Sequence, residues 1–507
     1  MTFNRNILAN YTSQLYVTAI GIVMVPVYIK LMGVEGYGLI GFYAMLQSWF
    51  SLLDMGLTPT IARETARFKG GTLNSVSYRT LVRALEGVFL TVALIGSLAL
   101  FGAAYWFGDQ WISSDTFTSK EIVTSLQLMA GVVGLRWLCG LYRGIIIGAE
   151  KLVLLSFFNI VVATLRFILI VPVLIYISTS PLTFFGFQIV ISFVELGIIA
   201  WLAYSQLPTL PAGEKLEWKL KAVLPLLKFS FSVFFISSVW ITVTQSDKLI
   251  LSKILSLSDY GYFSVAVVAA GGIMVMTAPV TTATLPKMAR MMAEGESDQV
   301  MSFYISVTRL ISSIVLPIAL LLGMFPGQVL WAWTGDHDLV ARTAPVLSLY
   351  ALGYGLLSVS ALPYSLQYAR GELKLHLIGS AIFVSVLLPL LVMGARAYGT
   401  EGAGWAWFAT NLAYFLFWVP VLHRRFAPGI HLVWLIKYVA APALSIAVSA
   451  VAMWEILPHT ESRILTVAWL GVLAIALIGS SIGTNKLLSL WHKPSPSRGK
   501  NDRPPRV

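Results

Sequence analysis

Long apolar stretches recur down the whole chain, and no other feature limits its fold as much. A helix needs about 20 mostly apolar residues to cross a bilayer. Fourteen such stretches can be marked: 6–30, 37–62, 81–107, 121–146, 152–177, 182–205, 225–252, 260–286, 302–325, 340–366, 374–396, 402–422, 433–456 and 464–485. The stretch from Glu121 is the least apolar, because its first turns are polar and Arg136 sits in its middle. Hydrophobic residues make up 57% of the chain and charged residues 11%. A soluble chain carries about 25% charged residues to cover itself with solvated surface. The sequence therefore predicts an all-α polytopic membrane protein with fourteen transmembrane helices. The opening MTFNRNILANYTSQLY runs straight into the first stretch without a small-residue cleavage site, so it reads as a retained helix.

Charge sets the orientation. Of the 35 basic residues, 25 fall in one alternating set of loops and ends, among them Arg5, Arg63, Arg67, Lys151, Lys215, Arg290, Arg370 and Arg424. Six fall in the opposite set: Lys30, Lys120, Lys253, Arg342, Arg396 and Arg463. Basic loops stay cytoplasmic, so both termini are expected in the cytoplasm. The net charge of +12 belongs to this bias and to a basic tail, which argues against a nucleic-acid partner. The single cysteine, Cys139, permits no disulfide framework and no zinc site.

The chain also repeats itself. Adding 223 maps Lys30 to Lys253, Tyr37 to Tyr260, Gly38 to Gly261, Thr58 to Thr281 and Arg67 to Arg290. With an offset of 222, Tyr142 maps to Tyr364 and Glu150 to Glu372. Six helices per unit make the repeat parallel, with its axis along the membrane normal. This predicts an N-terminal six-helix lobe (1–207), a cytoplasmic linker (208–221) and a second six-helix lobe (222–425). Two extra helices (426–486) and a disordered basic tail (487–507) follow. Such proteins bind substrate near the midplane between lobes and rock one lobe against the other.

Polar residues inside spans face a bundle interior or a wet cavity. Asn6, Asn10 and Gln14 form one stripe on the first helix, and Gln47, Ser51, Asp54 and Thr58 form one on the second. Lining a cavity and hydrogen bonding between helices are equal readings of these stripes. Arg136 and Arg143, seven apart, face the same way. Arg166 and Arg309 also lie within apolar stretches. Guanidinium groups fork phosphate oxygens, so these arginines suit an anionic ligand. Arg166 has a rival partner in Glu195, at similar depth on the next helix, and Arg309 has a rival reading as a snorkelling surface residue. Arg136 has no evident partner in sequence. No nucleophile–base pair, metal spacing or GxxxxGK[ST] loop is present, so no enzyme, cofactor or metal is expected.

The stretches PVYIKLMGVEGYGLIGFYAML and LLDMGLTPTIARETAR resemble the opening of bacterial oligosaccharide flippases, through Gly33, Glu35, Tyr37, Gly38, Asp54, Gly56 and Arg63. SDKLILSKILSLSDYGYFSVA resembles a second stretch of that family through Asp247, Gly261 and Tyr262. The resemblance implies a member of the multidrug/oligosaccharidyl-lipid/polysaccharide exporter superfamily. It implies two six-helix lobes around a V-shaped cavity, and export of an undecaprenyl-pyrophosphate-linked oligosaccharide across the inner membrane. It also implies inner-membrane lipids, a polysaccharide polymerase and a chain-length regulator of an O-antigen or capsule pathway as partners. Fourteen helices, rather than twelve, resembles the lipid II flippase branch.

On this reading Arg136, Arg166, Arg63 and Arg143 bind pyrophosphate. Asn10, Gln14 and Gln47, with Trp137 and Tyr142, meet sugar. Asp247, Glu195, Asp54 and Lys248 serve ion coupling, to H+ or Na+, or gating. Asp247 and Lys248 point about 100° apart on a helix, so they are expected not to pair, with Lys248 snorkelling outward. The alternatives are a multidrug/cation antiporter, which the basic bias of the mid-span charges disfavours, a lipid II flippase, and an intramembrane glycosyltransferase or ligase, which usually carries a larger external loop.

Overall fold

The structure, a computed structural model, describes residues 2–209, 223–456 and 462–490. Most of the expected linker at 208–221, and the tail beyond Leu490, lie outside these residues. The described chain is helical: α1 (Thr2–Val23), α2 (Val25–Phe50), α3 (Leu57–Lys69), α4 (Ser75–Trp106), α5 (Ser119–Gly148), α6 (Leu152–Phe167), α7 (Ile170–Tyr176) and α8 (Pro181–Tyr204). Then come α9 (Leu224–Ile254), α10 (Leu257–Ala293), α11 (Ser297–Met324), α12 (Pro326–Thr334), α13 (His337–Ser360) and α14 (Leu362–Arg370). The last are α15 (Lys374–Ala413), α16 (Val419–Phe426), α17 (His431–Val433), α18 (Ala441–Trp454) and α19 (Arg463–Leu490). Helices dominate because hydrocarbon offers the backbone no hydrogen-bond partners, and a helix supplies them internally. Exposed Leu94, Ile95, Leu98 and Phe101 on α4 are what a lipid-facing helix presents.

Among the described residues, ten helices are long and apolar enough to cross a membrane, or eleven if Leu8–Val23 and Val25–Asp54, bent by 46°, form one span. This is fewer than the fourteen stretches expected. Part of the difference lies in Lys374–Phe426, one apolar run of 53 residues. Tyr398 and Gly399 leave helical geometry there, with Gly399 at φ +60°. The backbones of Gly394 and Gly402 abut, so this run folds back on itself as two arms.

The second expected stretch is broken as well. Met55 (φ +46°) and Gly56 (φ +72°) separate α2 from α3. Asp54 accepts hydrogen bonds from Thr58 N (3.2 Å) and Thr58 Oγ1 (2.6 Å), satisfying a first-turn donor of α3. α3 then lies close along α5, where Gly140, Gly144 and Gly148 form a stripe. A Cβ at Gly144 would sit 2.7 Å from the Thr58 carbonyl oxygen. Small residues at such spacing let helix backbones meet. With this face of α5 fixed against α3, the adjoining face carries Arg136 and Arg143 toward α1, α2, α6 and α8.

The two halves of the chain meet where α2 crosses α10. A Cβ on Gly38 would lie 2.7 Å from Leu257 O and 3.4 Å from Gly261 N, while Gly261 abuts Val34 and Gly41 abuts Ser264. Val34 and Leu257, Gly38 and Gly261, and Gly41 and Ser264 are all separated by 223. Position 34 thus meets 261 while 38 meets 257, the reciprocal pattern of a two-fold contact. Beside this crossing, Leu257 N donates to Ser113 O (2.7 Å) and Trp111 Nε1 donates to Ser252 Oγ (2.9 Å). Lys253 Nζ donates to Gln110 O and lies 5.4 Å from the Trp111 ring centroid. Glu35 steadies the same segment by accepting from Asp115 N (3.3 Å), Thr116 N (3.2 Å) and the Ser114 hydroxyl. These contacts close the molecule at this end of α2 and α10.

Candidate functional site

One cavity of about 630 Å³ gathers seven of the singled-out polar residues. Asn10 and Gln14 reach it from α1, Gln47 from α2, Arg136 and Arg143 from α5, Arg166 from α6 and Glu195 from α8. Ser13, Thr18, Asn159 and Phe167 complete much of its wall. Each helix delivers its residues by helical spacing, since positions three, four or seven apart share a face. Asn159 and Arg166 are seven apart on α6, and Gln188, Ser192 and Glu195 occupy positions i, i+4 and i+7 on α8.

Glu195 is the hub. It is 1% exposed, and its Oε1 lies 2.7 Å from Arg143 NH2 while its Oε2 lies 2.6 Å from Arg166 NH2 and 3.9 Å from Arg136 Nε. A buried carboxylate is stable only when paired and hydrogen-bonded, and here three guanidinium groups surround it. Arg166, 5% exposed, spends its donors inside the protein. Its NH1 donates to Gln188 Oε1 (2.8 Å), its NH2 also to Ser192 Oγ (3.0 Å), and its Nε to Glu195 (3.2 Å). Gln188 Nε2 returns a bond to the Arg166 carbonyl (3.1 Å).

The other two arginines differ. Arg136 NH1 donates to Gln47 Oε1 (2.6 Å) and Tyr43 Oη (3.2 Å), and Arg143 NH1 donates to Asn159 Oδ1 (2.6 Å). Their side chains are 28% and 29% exposed, so both keep a guanidinium edge in the cavity. Three arginines against one glutamate leave two net positive charges in a confined, partly desolvated space, where charges act more strongly than in water. Such a space complements negative charge. Among the described residues, no three His, Cys, Asp or Glu side chains converge to hold a metal ion.

Other singled-out residues lie elsewhere. Arg63, on α3, is exposed and does not line the cavity. Trp137 is buried against Phe89 at 4.6 Å between ring centroids, and Tyr142 donates to Glu86 Oε1 (3.3 Å). Neither wall of the cavity contains them, so they are not placed to stack on a sugar there. Asp54 caps α3. Arg309 faces a separate groove, with its guanidinium carbon 5.5 Å from the Tyr438 ring centroid.

Asp247 and Lys248 correct an expectation. They do pair, with Lys248 Nζ 3.4 Å from Asp247 Oδ1. Their Cα–Cβ bonds diverge, but the flexible lysine stem folds back, and Nζ also donates to Thr244 O (2.6 Å). Lys248 therefore turns toward the preceding turn of α9 rather than snorkelling outward. Asp247 is fully buried and also accepts from Tyr350 Oη (3.0 Å), whose ring stacks on Trp407 at 5.4 Å.

Residues 3–292 match a family described as polysaccharide biosynthesis protein. Among solved structures, a lipid II flippase in an inward closed conformation is similar, with a TM-score of 0.68 and 13% identity over 95% of this chain and 99% of that one. An inward-facing multidrug resistance MATE family transporter of the MOP superfamily gives a TM-score of 0.64 and 13% identity, over 83% of this chain and 100% of that one. A MOP superfamily transporter from Pyrococcus furiosus, described as having a binding pocket of reverse polarity, gives 0.53 and 13%, over 82% and 95%. At these identities the likeness shows a shared fold. No protein of curated function matches the sequence.

Proposed function

The chain belongs to the polysaccharide biosynthesis protein family, and from that premise we propose that it is a flippase for an undecaprenyl-pyrophosphate-linked oligosaccharide in a bacterial inner membrane. The observation that carries this reading is the fan of Arg136, Arg143 and Arg166 around Glu195 in one cavity. A pyrophosphate carries at least two negative charges and cannot enter hydrocarbon unaided. The cavity offers two net positive charges, and its volume falls within the ~300–1,000 Å³ of ordinary ligand sites.

In this mechanism Arg136 and Arg143 replace the water and counterions of the pyrophosphate with forked hydrogen bonds. Arg166, locked by Glu195, Gln188 and Ser192, positions the fan instead of gripping the ligand. Asn10, Gln14 and Gln47 meet sugar hydroxyls. Fourteen spans form two six-helix lobes and two further helices, with both termini cytoplasmic. The lobes rock about the α2–α10 crossing, and the lipid tail stays in the bilayer. Asp247 couples the motion to H+ or Na+. A polymerase and a chain-length regulator take the unit afterwards.

A second reading is transport of a lipid II-type precursor, favoured by the likeness to a lipid II flippase over 95% of the chain. Its head group bears the same pyrophosphate, so the cavity suits both. Export of organic cations is disfavoured by the excess of arginine over carboxylate.

A deletion strain and strains carrying Arg136→Leu or Arg143→Leu test these readings. The expected result is loss of surface glycan with the protein still in the membrane, and lipid-linked units accumulating on the cytoplasmic face. Normal surface glycan in both variants overturns the site. Accumulation of peptidoglycan precursor selects the second reading, and drug sensitivity without a glycan defect selects the antiporter.

A further inference from the structure

A second cavity, of about 610 Å³, opens between α11 and α19, far along the chain from the arginine fan. Its wall changes character along its length. At one end are Arg309, Lys486 and Asn485, and at the other Ile318 and Ile478. Arg309 and Ile318 are nine residues apart and Lys486 and Ile478 eight, which at 1.5 Å per residue is about 12–14 Å. Lys486 lies one turn from the end of α19, at the depth where a helix leaves the apolar layer. Ile478 and Ile482 are 41% and 53% exposed, so the groove is open to lipid.

Among the described residues, two polar atoms in the groove lack partners. Asn485 is 5% exposed. Its Nδ2 donates to Ser313 Oγ (2.8 Å), which orients the amide and leaves the buried Oδ1 without a hydrogen bond. The buried Nε–H of Arg309 likewise meets no acceptor. Unsatisfied buried polar atoms are costly, and native structures pair nearly all of them. The groove thus presents a cationic donor, a buried acceptor waiting for a hydroxyl, and an apolar channel leading inward from both.

We propose that this groove is a binding site for a resident anionic phospholipid with a hydroxylated head group, of the phosphatidylglycerol type. The phosphodiester meets Arg309 and Lys486, a head-group hydroxyl donates to Asn485 Oδ1, and an acyl chain lies along Ile318 and Ile478. A zwitterionic choline lipid lacks both the net charge and the hydroxyl. The occupant is distinct from the transported molecule, and the site holds α11 against α19 from the outside.

Delipidated full-length protein in neutral detergent, titrated with short-chain phosphatidylglycerol, phosphatidic acid or phosphatidylcholine while its thermal midpoint is followed, tests this. The midpoint is expected to rise with phosphatidylglycerol and stay fixed with phosphatidylcholine. Arg309→Gln with Lys486→Gln should raise the half-maximal lipid concentration about tenfold or more, through loss of two charge-assisted contacts. Asn485→Leu should abolish the advantage of phosphatidylglycerol over phosphatidic acid while keeping the response to both. Equal stabilisation by phosphatidylcholine overturns the proposal, and so does an undiminished phosphatidylglycerol response in the arginine–lysine variant. Displacement of bound phosphatidylglycerol by undecaprenyl phosphate also overturns it, assigning the groove to the carrier lipid. If the double variant does not fold, the same titration on Arg309→Gln alone decides.

Discussion

Neutralising Glu195 should damage the protein more than removing any one of its arginines, and a second substitution should repair the damage. In the native cavity three arginines and one glutamate leave two positive charges. Glu195→Gln raises this to three and strips the counterion from Arg143, at 2.7 Å, and from Arg166, at 2.6 Å, in one step. Removing one partner of a buried ion pair costs about 3–5 kcal/mol, and the shared position of Glu195 puts it at the upper end. Arg166→Gln lowers the charge to one, and Glu195 still faces Arg143, so its loss is expected near about 3 kcal/mol. The double variant restores the native charge of two, with a neutral amide pair between α6 and α8. Its loss should fall short of the sum of the singles by about 2–3 kcal/mol, the high end of coupling between groups in contact. Unfolding of the purified protein in mixed micelles, followed through its 16 tryptophans, measures all four. A Glu195→Gln variant within about 1 kcal/mol of the native protein, or two losses that simply add, would show that Glu195 is not the hub of the arginines.

Further expectations follow from the same contacts. Cysteines at Ser113 and Ser256, a bridging pair, should cross-link on oxidation, stop transport and recover with reductant; transport that continues when fully cross-linked removes this crossing from the cycle. Gly144→Leu forces a side chain into the Thr58 carbonyl and Ile61 and should cost about 1–3 kcal/mol, read as a lowered thermal midpoint; an unchanged midpoint shows that α3 and α5 need not touch. Asp247→Asn keeps an acceptor for Tyr350 but takes the carboxylate from Lys248, so it should lower the thermal midpoint while the protein still reaches the membrane, and it should remove the dependence of transport on the proposed coupling ion; an unaltered dependence on both pH and sodium rules Asp247 out.

Much of this was readable in the residues because hydrocarbon makes polar side chains expensive, so each one within a span has a reason to be there. Asn10, Gln14, Gln47, Arg136, Arg143, Arg166 and Glu195 were all visible that way, and they share one cavity. Gln188 and Ser192, which lock Arg166, carry the same signal: with Glu195 they form a single polar stripe on an otherwise apolar helix. Gly140, Gly144 and Gly148 were equally legible as a packing face. What sequence spacing does not give is reach. Lys248 pairs with its neighbour because four methylenes outrun the divergence of two Cα–Cβ bonds. Nor does it give the identity of neighbouring helices. Trp137 and Tyr142 sit one residue from Arg136 and Arg143, about 100° around α5, and so belong to its packed faces. The reversal within Lys374–Phe426 was legible too, because Arg396, Gly399, Thr400 and Glu401 interrupt the apolar residues and divide 374–396 from 402–422.

The 223-residue offset duplicates the crossing of α2 and α10, but it does not duplicate the charge. At the offset of 222, Arg136 corresponds to Ser358, Arg143 to Ser365, Arg166 to Leu388 and Glu195 to Phe417. On the function proposed above, a head group held by the fan is therefore seated off the axis, on one arm alone. When the halves swing apart it need not be handed across; it rides its own arm like freight on a lever, while the other arm only uncovers it. Turnover is then limited by how soon Arg136 and Arg143 let go, and a variant that grips harder should carry less.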